Sequence, residues 1–356
     1  MLRGKRKLLL IPIILFIIII GVCVYAYINT KPMSSSSSKV TLEIKEGNTT
    51  KDIVKILDEK GLIRSELFTL LYTKIHGIND IKAGFYELNK NQGLKDIFKI
   101  LKEGSNVKKD VSITFVEGKN MRYIAKVIED NTINTKEDVF KLLEDKDYIK
   151  SLIEKYWFLE EVILDENIYY PLEGYLAPDT YFFEIDSSVK SIFEKMLDQT
   201  DTILTKYKDQ ITASSYSVHQ ILTLASMIET EGVSLEDREN IAGVFINRLN
   251  NGWSLGSDVT TYYAAKIDLG ERDLYQSELD SDNPYNTRSS KNAGKLPIGP
   301  ICNPSSEAIN AAINYKQNSY LYFVADKDMK IYFNETDSGH NNTINELKNS
   351  GLWYEY

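Results

Sequence analysis

The hydrophobic pattern at the start of the chain predicts a membrane helix. Leu8 to Ile28 is an apolar run that contains no charged residue. A helix of this length spans ~31 Å, close to the hydrocarbon thickness of a bilayer. Four basic residues lie between positions 3 and 7, and the positive-inside rule keeps such a flank in the cytoplasm. We therefore predict that residues 1–28 form a cytoplasmic tail and a single-pass anchor in the cell membrane, with the rest of the chain outside the cytoplasm.

A cleaved signal peptide is the alternative interpretation of this apolar run. The apolar region of a signal peptide is usually only ~7–15 residues long and ends at a small-x-small cleavage site. The sequence from Tyr25 to Ile28 offers no such site. Cys23 follows Val22 rather than a small residue, which also disfavours a lipoprotein. An uncleaved anchor is therefore the favoured interpretation.

After the anchor, the pattern predicts a linker and then a small module. Ser34 to Ser38 is a run of five serines, which predicts a flexible linker over residues 29–39. The pattern that follows predicts a strand, two helices and a strand, at 40–44, 53–57, 67–75 and 83–86. This β-α-α-β layout, assigned to residues 40–108, resembles a LysM domain, which binds the N-acetylated sugars of cell walls.

A weak internal echo relates this module to the segment after it. Residues 44–57 align with residues 115–128, and each copy is predicted to form a strand, a Glu-Gly turn and a helix. Two unrelated βα units that share turn chemistry explain the echo equally well, because glycine suits such turns.

Beyond residue 109, helices alternate with short strands, which is typical of an α+β domain. We predict one larger domain over residues 109–356. Its helices are predicted at 139–157, 189–207, 217–231, 235–249 and 306–314. A loop and strand are predicted at 171–183, a loop at 281–304, and a final hairpin from strands 321–324 and 331–333.

Composition excludes several classes of function. Of the 356 residues, 43% are hydrophobic and 26% are charged, which suits a folded chain. Two cysteines, Cys23 and Cys302, cannot provide a disulfide framework or a CxxC motif. The three histidines lie far apart, and no phosphate-binding glycine loop occurs. The net charge of −9 disfavours nucleic acid as a partner. We therefore expect no metal, no cofactor and no nucleic-acid partner.

Two carboxylates at the end of one predicted helix are candidate acids. Ile221, Leu224 and Ile228 form an apolar stripe on this helix, and Glu229 and Glu231 close it. At ~100° per residue, the two carboxylates lie roughly 200° apart, so they cannot share a face. Their distances from the stripe do not decide which of them faces a cleft. A glutamate near a helix end is commonly a surface residue, but the helix dipole disfavours it there, which is a mild indication of function.

A second motif points to a different chemistry. Residues 252–256, Gly-Trp-Ser-Leu-Gly, fit G-x-S-x-G, and Asp258 and His340 follow in the order of an α/β-hydrolase triad. A nucleophile elbow must follow a buried strand, whereas the segment before Gly252 is a predicted helix. We therefore interpret the two glycines as turn residues, and a serine hydrolase with Ser254 as nucleophile remains the alternative enzyme class.

The motifs of the larger domain, taken in order, resemble the endolytic murein transglycosylase (YceG-like) family. They are Leu-Glu-Gly-Tyr-Leu-Ala-Pro-Asp-Thr-Tyr at 172–181, Leu-Ala-Ser-Met-Ile-Glu-Thr-Glu at 224–231, Val-Phe-Ile-Asn-Arg-Leu at 244–249, Ser-Asp-x-Thr at 257–260, Pro-Tyr-Asn-Thr at 284–287, Leu-Pro-Ile-Gly-Pro-Ile-x-Asn-Pro at 296–304, Tyr-Leu-Tyr-Phe-Val at 320–324 and Ser-Gly-His-Asn at 338–341. The resemblance covers the whole chain. Three neighbours depart from the family pattern: Thr230 replaces the usual Lys, Lys295 a common Gly, and Ala177 a usual aromatic residue.

The resemblance implies an activity and one catalytic residue. It implies cleavage of the β-1,4 bond between N-acetylmuramic acid and N-acetylglucosamine within peptidoglycan strands, leaving 1,6-anhydro ends. The second glutamate of the family motif is catalytic, and that position is Glu231 here. A single acid suffices for this reaction, so Glu229 would be dispensable. Peptidoglycan synthases are a partner class consistent with such a role, and the reaction would terminate strand elongation.

Further polar residues of these motifs are candidates for lining a sugar-binding cleft. A structural role, as a helix cap, an Asx-turn or a packed tyrosine, is an equally good explanation for each of them. They are Asn247, Asp258, Thr260, Tyr285 and Asn286. A turn after the final hairpin is the simpler explanation for His340 and Asn341. A non-catalytic murein-binding scaffold remains the third function class beside the transglycosylase and the serine hydrolase.

Overall fold

The chain folds into two compact units. The computed structural model describes residues 2–105 and 110–353, and it describes side chains from Leu15 onward. Unit 1 comprises Met1–Val111 with the segments Asn131–Asn134 and Phe182–Ser187. Unit 2 comprises the ranges Ser112–Asp130, Thr135–Tyr181 and Ser188–Tyr356. The described residues form fifteen α-helices and three two-stranded sheets, so the fold combines many helices with small sheets.

Unit 1 contains the predicted order of strand, helix, helix and strand. Its elements are α1 (Leu2–Thr30), β1 (Lys39–Ile44), α2 (Thr50–Glu59), α3 (Glu66–Ile75), β2 (Gly84–Asn89) and α4 (Leu94–Glu103). Strands β1 and β2 pair antiparallel, with Leu42 opposite Tyr86. Thr49 caps α2 in a reciprocal capping box with Asp52.

Helix α4 was not identified from the sequence, yet it supplies part of the core of unit 1. Ile97, Phe98 and Leu101 of α4 are buried with Leu57 of α2 and Leu88 of β2. Two strands and two short helices leave part of their apolar surface exposed to solvent. Helix α4 buries this surface, so the β-α-α-β layout shares its core with a third helix.

The predicted anchor coincides with α1. Its residues 8–14 lie outside the described side chains. From Leu15 to Ile28 the large apolar side chains are about half exposed around the helix. Within the part of the chain that the structure describes, no helix has both the length and the apolar character required to cross a membrane.

The serine run differs from the expectation of a free linker. The Ser34 backbone N–H donates to the carbonyl of Lys90 at 3.0 Å. The Ser38 N–H donates to Oδ1 of Asn89 at 2.7 Å, and Asn89 Nδ2 donates to the Ser37 hydroxyl at 2.7 Å. The composition of the serine run predicts that its polar groups are solvated. They instead bind Asn89 and Lys90, at the end of β2, so the serine run is attached to the rest of unit 1.

Most elements of the larger domain agree with the sequence pattern. They are β3 (Asp110–Thr114), α5 (Met121–Asn131), α6 (Lys136–Glu144), α7 (Lys146–Lys155), β4 (Thr180–Glu184), α8 (Val189–Thr205), α9 (Lys208–Ala213), α10 (Val218–Glu231), α11 (Leu235–Asn250), α12 (Asp258–Ala264), α13 (Gln276–Leu279), α14 (Ser306–Ile313), β5 (Tyr322–Ala325), β6 (Ile331–Asn334) and α15 (Asp337–Asn349). The strand, turn and helix order of the internal echo is present in β3 and α5. The single helix predicted at 139–157 is two helices, because the Asp145 carboxylate caps α7 by accepting from the N–H groups of Asp147 and Tyr148.

Helix α10 is the central helix of unit 2. Ten of its fourteen residues are buried, and its main neighbours are α14 and α11. Ser217 and Gln220 close its N-terminus in a capping box. Because α10 is buried on every side, the side chains of its last turn are held in fixed positions.

Candidate active site

Glu231 is the last residue of α10. The chain leaves the helix at Gly232, whose N–H still donates to the carbonyl of Ile228 at 2.9 Å. A Cβ atom at position 232 would lie only 2.6 Å from Cγ of Arg238, so glycine is required for this close approach. The Glu231 side chain is half-buried, which leaves it accessible to a ligand.

A buried serine holds one oxygen of this carboxyl. Ser257 Oγ donates to Glu231 Oε1 at 2.7 Å. The Ser257 backbone is itself fixed, because its N–H donates to Thr287 Oγ1 at 3.0 Å and its carbonyl accepts from Thr260 Oγ1 at 2.7 Å. Among the described residues, Glu231 Oε2 has no hydrogen-bond partner. The carboxyl is therefore held on one side and free on the other.

The surroundings of Glu231 favour its protonated form. Burial raises the pKa of Glu231 above its ordinary value, and the negative charge of Asp258 acts in the same direction. The Ser257 hydrogen bond and the positive charges of Arg248 and Arg288 oppose this rise. A raised pKa is what a general acid requires near neutral pH.

Glu229 has a different environment, although it lies only two residues away. Its side chain is 6% exposed and forms an ion pair of 3.0 Å with Arg238 Nη2. The N–H and hydroxyl of Ser305 both donate to Glu229 Oε2, at 2.9 and 2.5 Å. Arg238 also pairs with Glu307 at 2.8 Å. Glu229 therefore links α10, α11 and α14 and contributes to the packing of these helices.

Three charged residues lie near Glu231, and two of them, Arg248 and Arg288, were not identified as site residues from the sequence alone. Arg248 donates to the carbonyls of Leu255 and Leu321, at 2.5 and 2.7 Å. Asp258, which was a candidate, begins α12 and forms an ion pair with Arg288. Both side chains of this pair are about half exposed. The pair and Arg248 give the region around the carboxyl a fixed set of charges.

His340 belongs to the same region but not to a turn. It lies in α15, and its ring stacks on Tyr322 with ring centres 5.3 Å apart. The Arg248 guanidinium lies over the Tyr322 ring, 5.4 Å from its centre. Burial and the charge of Arg248 lower the pKa of His340. Asn341 donates to Asp337 within the first turn of α15.

Three candidate sugar-binding residues are buried and bonded to the protein. Thr260, Tyr285 and Asn286 are each 0% exposed. The Thr260 hydroxyl binds Ser257 and pairs with Thr287 Oγ1 at 2.8 Å. The Tyr285 hydroxyl accepts from the N–H of Tyr169 at 3.3 Å. These side chains support the site from behind, because no surface of theirs is open to a sugar.

Asn286 and Asn247 both fix loops. Asn286 Nδ2 donates to the carbonyls of Leu279 and Ser281, at 3.0 and 2.7 Å. Asn247 Nδ2 donates to the carbonyls of Asn318 and Tyr320, at 3.0 and 2.9 Å. Asp258 is therefore the one residue of the five whose side chain is largely exposed beside Glu231.

The G-x-S-x-G segment lacks the context of a nucleophile elbow. It follows helix α11 rather than a strand, and the N–H of Gly252 donates to Leu249 as the helix ends. Gly252 and Gly256 have φ values of +68° and +66°, so both serve as turn residues. Among the described residues there is also no group of three or more His, Cys, Asp or Glu side chains that could hold a metal ion.

A second buried carboxyl organises the loops around α10. Glu173 is 1% exposed, and its Oε2 accepts from the N–H of Met121 at 2.9 Å and from the Tyr263 hydroxyl at 3.0 Å. Asn303 Nδ2 donates to its other oxygen at 3.2 Å. Burial raises the pKa of Glu173 to about 7. Its role is structural, because it faces protein groups only.

A cavity in unit 2 lies at the other end of α10. It has a volume of about 700 Å³, and its lining includes Ser217, Gln220, Asn250 and Lys295. Glu231 is not part of its lining. Since α10 rises 1.5 Å per residue, the two ends of the helix lie ~20 Å apart.

A half-buried carboxyl with a raised pKa, held by one hydroxyl and open on the other side, is the arrangement that an acid–base enzyme requires. The sequence model of the YceG-like family matches residues 42–346 of the chain. The chain therefore belongs to this family. The resemblance seen in the sequence is thereby confirmed.

Relatives extend over most of the chain. An endolytic murein transglycosylase of Bacillus subtilis (strain 168) is 36% identical over 330 residues, which cover 91% of this chain and 89% of the relative. An endolytic murein transglycosylase of Streptococcus pneumoniae (serotype 2, strain D39) is 33% identical over 339 residues, and the match spans 61% of that longer protein. The crystal structure of a yceG-like protein from Listeria monocytogenes superposes with a TM-score of 0.61 at 36% identity, covering 86% of this chain and all of that one.

Proposed function

We propose that this protein is an endolytic lytic transglycosylase that cleaves the β-1,4 bond between N-acetylmuramic acid and N-acetylglucosamine within peptidoglycan strands. The observation that carries the proposal is the environment of Glu231. Its carboxyl has a raised pKa, one oxygen held by Ser257 and one oxygen free of protein partners in the described chain. The relatives named endolytic murein transglycosylase support the substrate class.

The reaction needs one carboxyl group that acts twice. Protonated Glu231 donates its proton to the bridging oxygen as the C1–O bond of the muramyl residue breaks. The positive charge that develops at C1 is stabilised by the N-acetyl group of that sugar or by the protein. The 6-hydroxyl of the same sugar then attacks C1 and gives its proton to the Glu231 carboxylate. The product is a 1,6-anhydro end, the acid is regenerated, and no water is consumed.

The second carboxylate beside Glu231 has a supporting role in this proposal. Asp258 forms an ion pair with Arg288. Its charge contributes to the raised pKa of Glu231. If Asp258 instead activated a water molecule, the enzyme would be a hydrolase and its products would have reducing ends.

We further propose that α1 anchors the protein in the cell membrane, with the N-terminus in the cytoplasm and the chain after α1 outside. The support is the uncharged run from Leu8 to Ile28, the basic flank before it, and the exposure of apolar side chains around α1. Unit 1 has the strand, helix, helix and strand order of a LysM domain, and we propose that residues 40–108 bind murein while residues 109–356 cleave it. Peptidoglycan synthases are the proposed protein partners.

The products formed on intact sacculi test the proposed function. Purified protein is incubated with sacculi, and the released muropeptides are separated and identified by mass. New 1,6-anhydro ends within long strands support the transglycosylase, and reducing ends identify a hydrolase instead. Unchanged glycan with retained protein identifies a scaffold that binds murein without cleaving it.

A further inference from the structure

Helix α3 of unit 1 exposes an apolar face. Leu67, Leu71 and Ile75 follow one another at intervals of four residues and are 80%, 54% and 70% exposed. Residues at this spacing lie on one side of a helix, so the three side chains form a continuous stripe. Scattered apolar residues on a surface are ordinary, but three large ones in line are typical of a docking face.

The core of unit 1 does not account for this stripe. The residues of α3 that are buried are two threonines, Thr69 and Thr73, with 1% and 3% of their surface exposed. Thr73 satisfies its hydroxyl by donating to the carbonyl of Leu70 at 2.9 Å. The partly buried side chains of Phe68, Leu70 and Tyr72 also pack against the core, whereas Leu67, Leu71 and Ile75 face outward. The stripe therefore contributes little to the fold of unit 1 and has surface to offer a partner.

The stripe begins where α3 meets the end of α1. The Tyr25 ring of α1 packs edge-on against Phe68 with ring centres 5.8 Å apart. The Tyr25 hydroxyl also reaches Ser65, the cap of α3, at 3.5 Å. The apolar surface of α1 and the stripe of α3 are therefore neighbours. Tyr25 and Tyr27 lie near the end of the apolar run, where tyrosine favours a membrane–water interface.

The segment that follows α1 is bonded to the rest of unit 1 at several points, so α3 has little freedom to move away from the end of α1. Arg64, just before α3, donates to the carbonyl of Pro32 at 2.6 Å. The Ser34 N–H binds Lys90, and the Thr30 carbonyl lies so close to Gly93 that a Cβ there would be 2.8 Å from it. Since the chain after α1 is attached to unit 1 at these points, α3 stays at the level where α1 ends.

Basic side chains flank the stripe on the same part of unit 1. Lys31, Arg64 and Lys74 are exposed, and the Lys31 ammonium lies over the Tyr27 ring, 4.6 Å from its centre. An apolar helix face bordered by basic residues is the pattern of a helix that lies in the plane of a membrane surface. Basic residues there attract the anionic headgroups of lipids.

We propose that α3 is an interfacial helix, which inserts Leu67, Leu71 and Ile75 into the headgroup and acyl boundary of the outer leaflet beside α1. The occupant of the stripe is the lipid bilayer, and unit 1 lies against the membrane surface. This inference rests on the proposed anchoring by α1.

An environment-sensitive label at the centre of the stripe tests the inference in the full chain. In a Cys23→Ser background, Leu71→Cys is labelled with a nitrobenzoxadiazole fluorophore, while the buried Cys302 thiol stays unlabelled under native conditions. The protein is reconstituted into vesicles of phosphatidylethanolamine and phosphatidylglycerol with a spin label near the headgroup end of the acyl chain. We expect blue-shifted emission and quenching several-fold stronger than for the same label at Lys55→Cys, an exposed site in α2.

Two outcomes overturn the inference, and they differ from failure of the anchor. In the first outcome, the protein floats with the vesicles, but the label at position 71 is quenched no more than the label at position 55. The protein then has an anchor, but α3 does not dock at the interface. Oxidative cross-linking of Leu71→Cys into dimers, without lipid quenching, identifies a second copy as the occupant. Protein that does not float contradicts the anchor itself. Leu67→Gln with Ile75→Gln, both at exposed positions, serves as the matched variant and should reduce quenching to the level of the control.

Discussion

Ser257 donates a hydrogen bond of 2.7 Å to Glu231 across 26 positions of the chain. The two glutamates at the end of α10 therefore have different environments. Glu231 is held by a neutral hydroxyl and keeps a raised pKa, whereas Glu229 is held by the Arg238 cation and by Ser305.

Replacement of Glu231 by Gln should abolish the chemistry and spare the fold. Glutamine has the same shape but cannot supply or take a proton, and general acid–base catalysis contributes ~10²–10⁴-fold to rate. We expect at least that loss of anhydro-end formation, measured by muropeptide analysis, with unchanged thermal unfolding and sacculus binding. If Glu231→Gln retains normal activity, the carboxyl is a surface group and the catalytic residue lies elsewhere.

Replacement of Glu229 by Gln should have the opposite effect. It leaves Arg238, which is 8% exposed, with Glu307 as its only charged partner among the described residues. Breaking a buried ion pair is costly, so we expect a loss of about 2–4 kcal/mol in the free energy of unfolding. Well below its unfolding temperature, the variant should still form anhydro ends. Loss of chemistry without loss of stability would reverse the two assignments.

The pH dependence of activity should respond to Ser257. The enzyme needs a protonated acid to begin the reaction, so activity should fall as pH rises through the raised pKa of Glu231. The Ser257 hydrogen bond lowers that pKa, so Ser257→Ala should move this alkaline limb to higher pH. Hydrogen bonds to charged groups contribute ~1.5–3 kcal/mol, and we expect kcat to fall by roughly tenfold or more because the carboxyl loses its orientation.

Ser254→Ala is the matched control for Ser257→Ala, since it removes a hydroxyl from the same loop. We expect it to leave both the rate and the pH profile unchanged. Loss of activity in Ser254→Ala, with an unaffected Ser257→Ala, would favour the serine hydrolase instead.

Glu173 should make the stability of unit 2 depend on pH. Its pKa in the folded protein is about 7, above the model-peptide value of 4.5. Between these values the folded state keeps a proton that the unfolded state has released, so stability is fully present below pH 4.5 and falls as pH rises towards 7. The linkage corresponds to a loss of about 3 kcal/mol. Urea unfolding of the wild type and Glu173→Gln across this range should show the fall in the wild type only; parallel curves would contradict it.

Gly174 should not tolerate a side chain. A Cβ there would lie 2.2 Å from Cβ of Pro300, and the φ of +83° is unfavourable for other residues. We expect Gly174→Ala to lower the free energy of unfolding by about 2–4 kcal/mol. Gly270→Ala is the control, because Gly270 has a φ of +84° and nothing within 4 Å of the added atom. Equal losses would mean that the backbone angle alone accounts for the effect.

Periodicity predicted the elements whose local signals are strong. The apolar stripe of α10 is a signal of this kind, and the helix is present. The division of residues 139–157 at Asp145 was missed, because a helix cap and a helix surface carboxylate look alike in sequence.

The site was less predictable, because it depends on contacts between distant segments. Thr260 and Asn286 have the chemistry of sugar-binding residues. Their polar groups instead form hydrogen bonds within the protein, to partners that only the fold brings close. Ser257 carries no signal that distinguishes it from other serines before it meets Glu231. The environments of Glu229 and Glu231 likewise differ through their partners, which their helical angles do not indicate.

The last turn of a helix is usually the first to fray, and a side chain there samples many positions. The last turn of α10 is clamped on both sides, by Arg238 and Ser305 at Glu229 and by Ser257 at Glu231. The backbone amides of this turn should therefore exchange with deuterium as slowly as the middle of the helix. In the proposed reaction, an arriving glycan meets a carboxyl that is already oriented for proton transfer, so little of its binding energy is spent on ordering the enzyme.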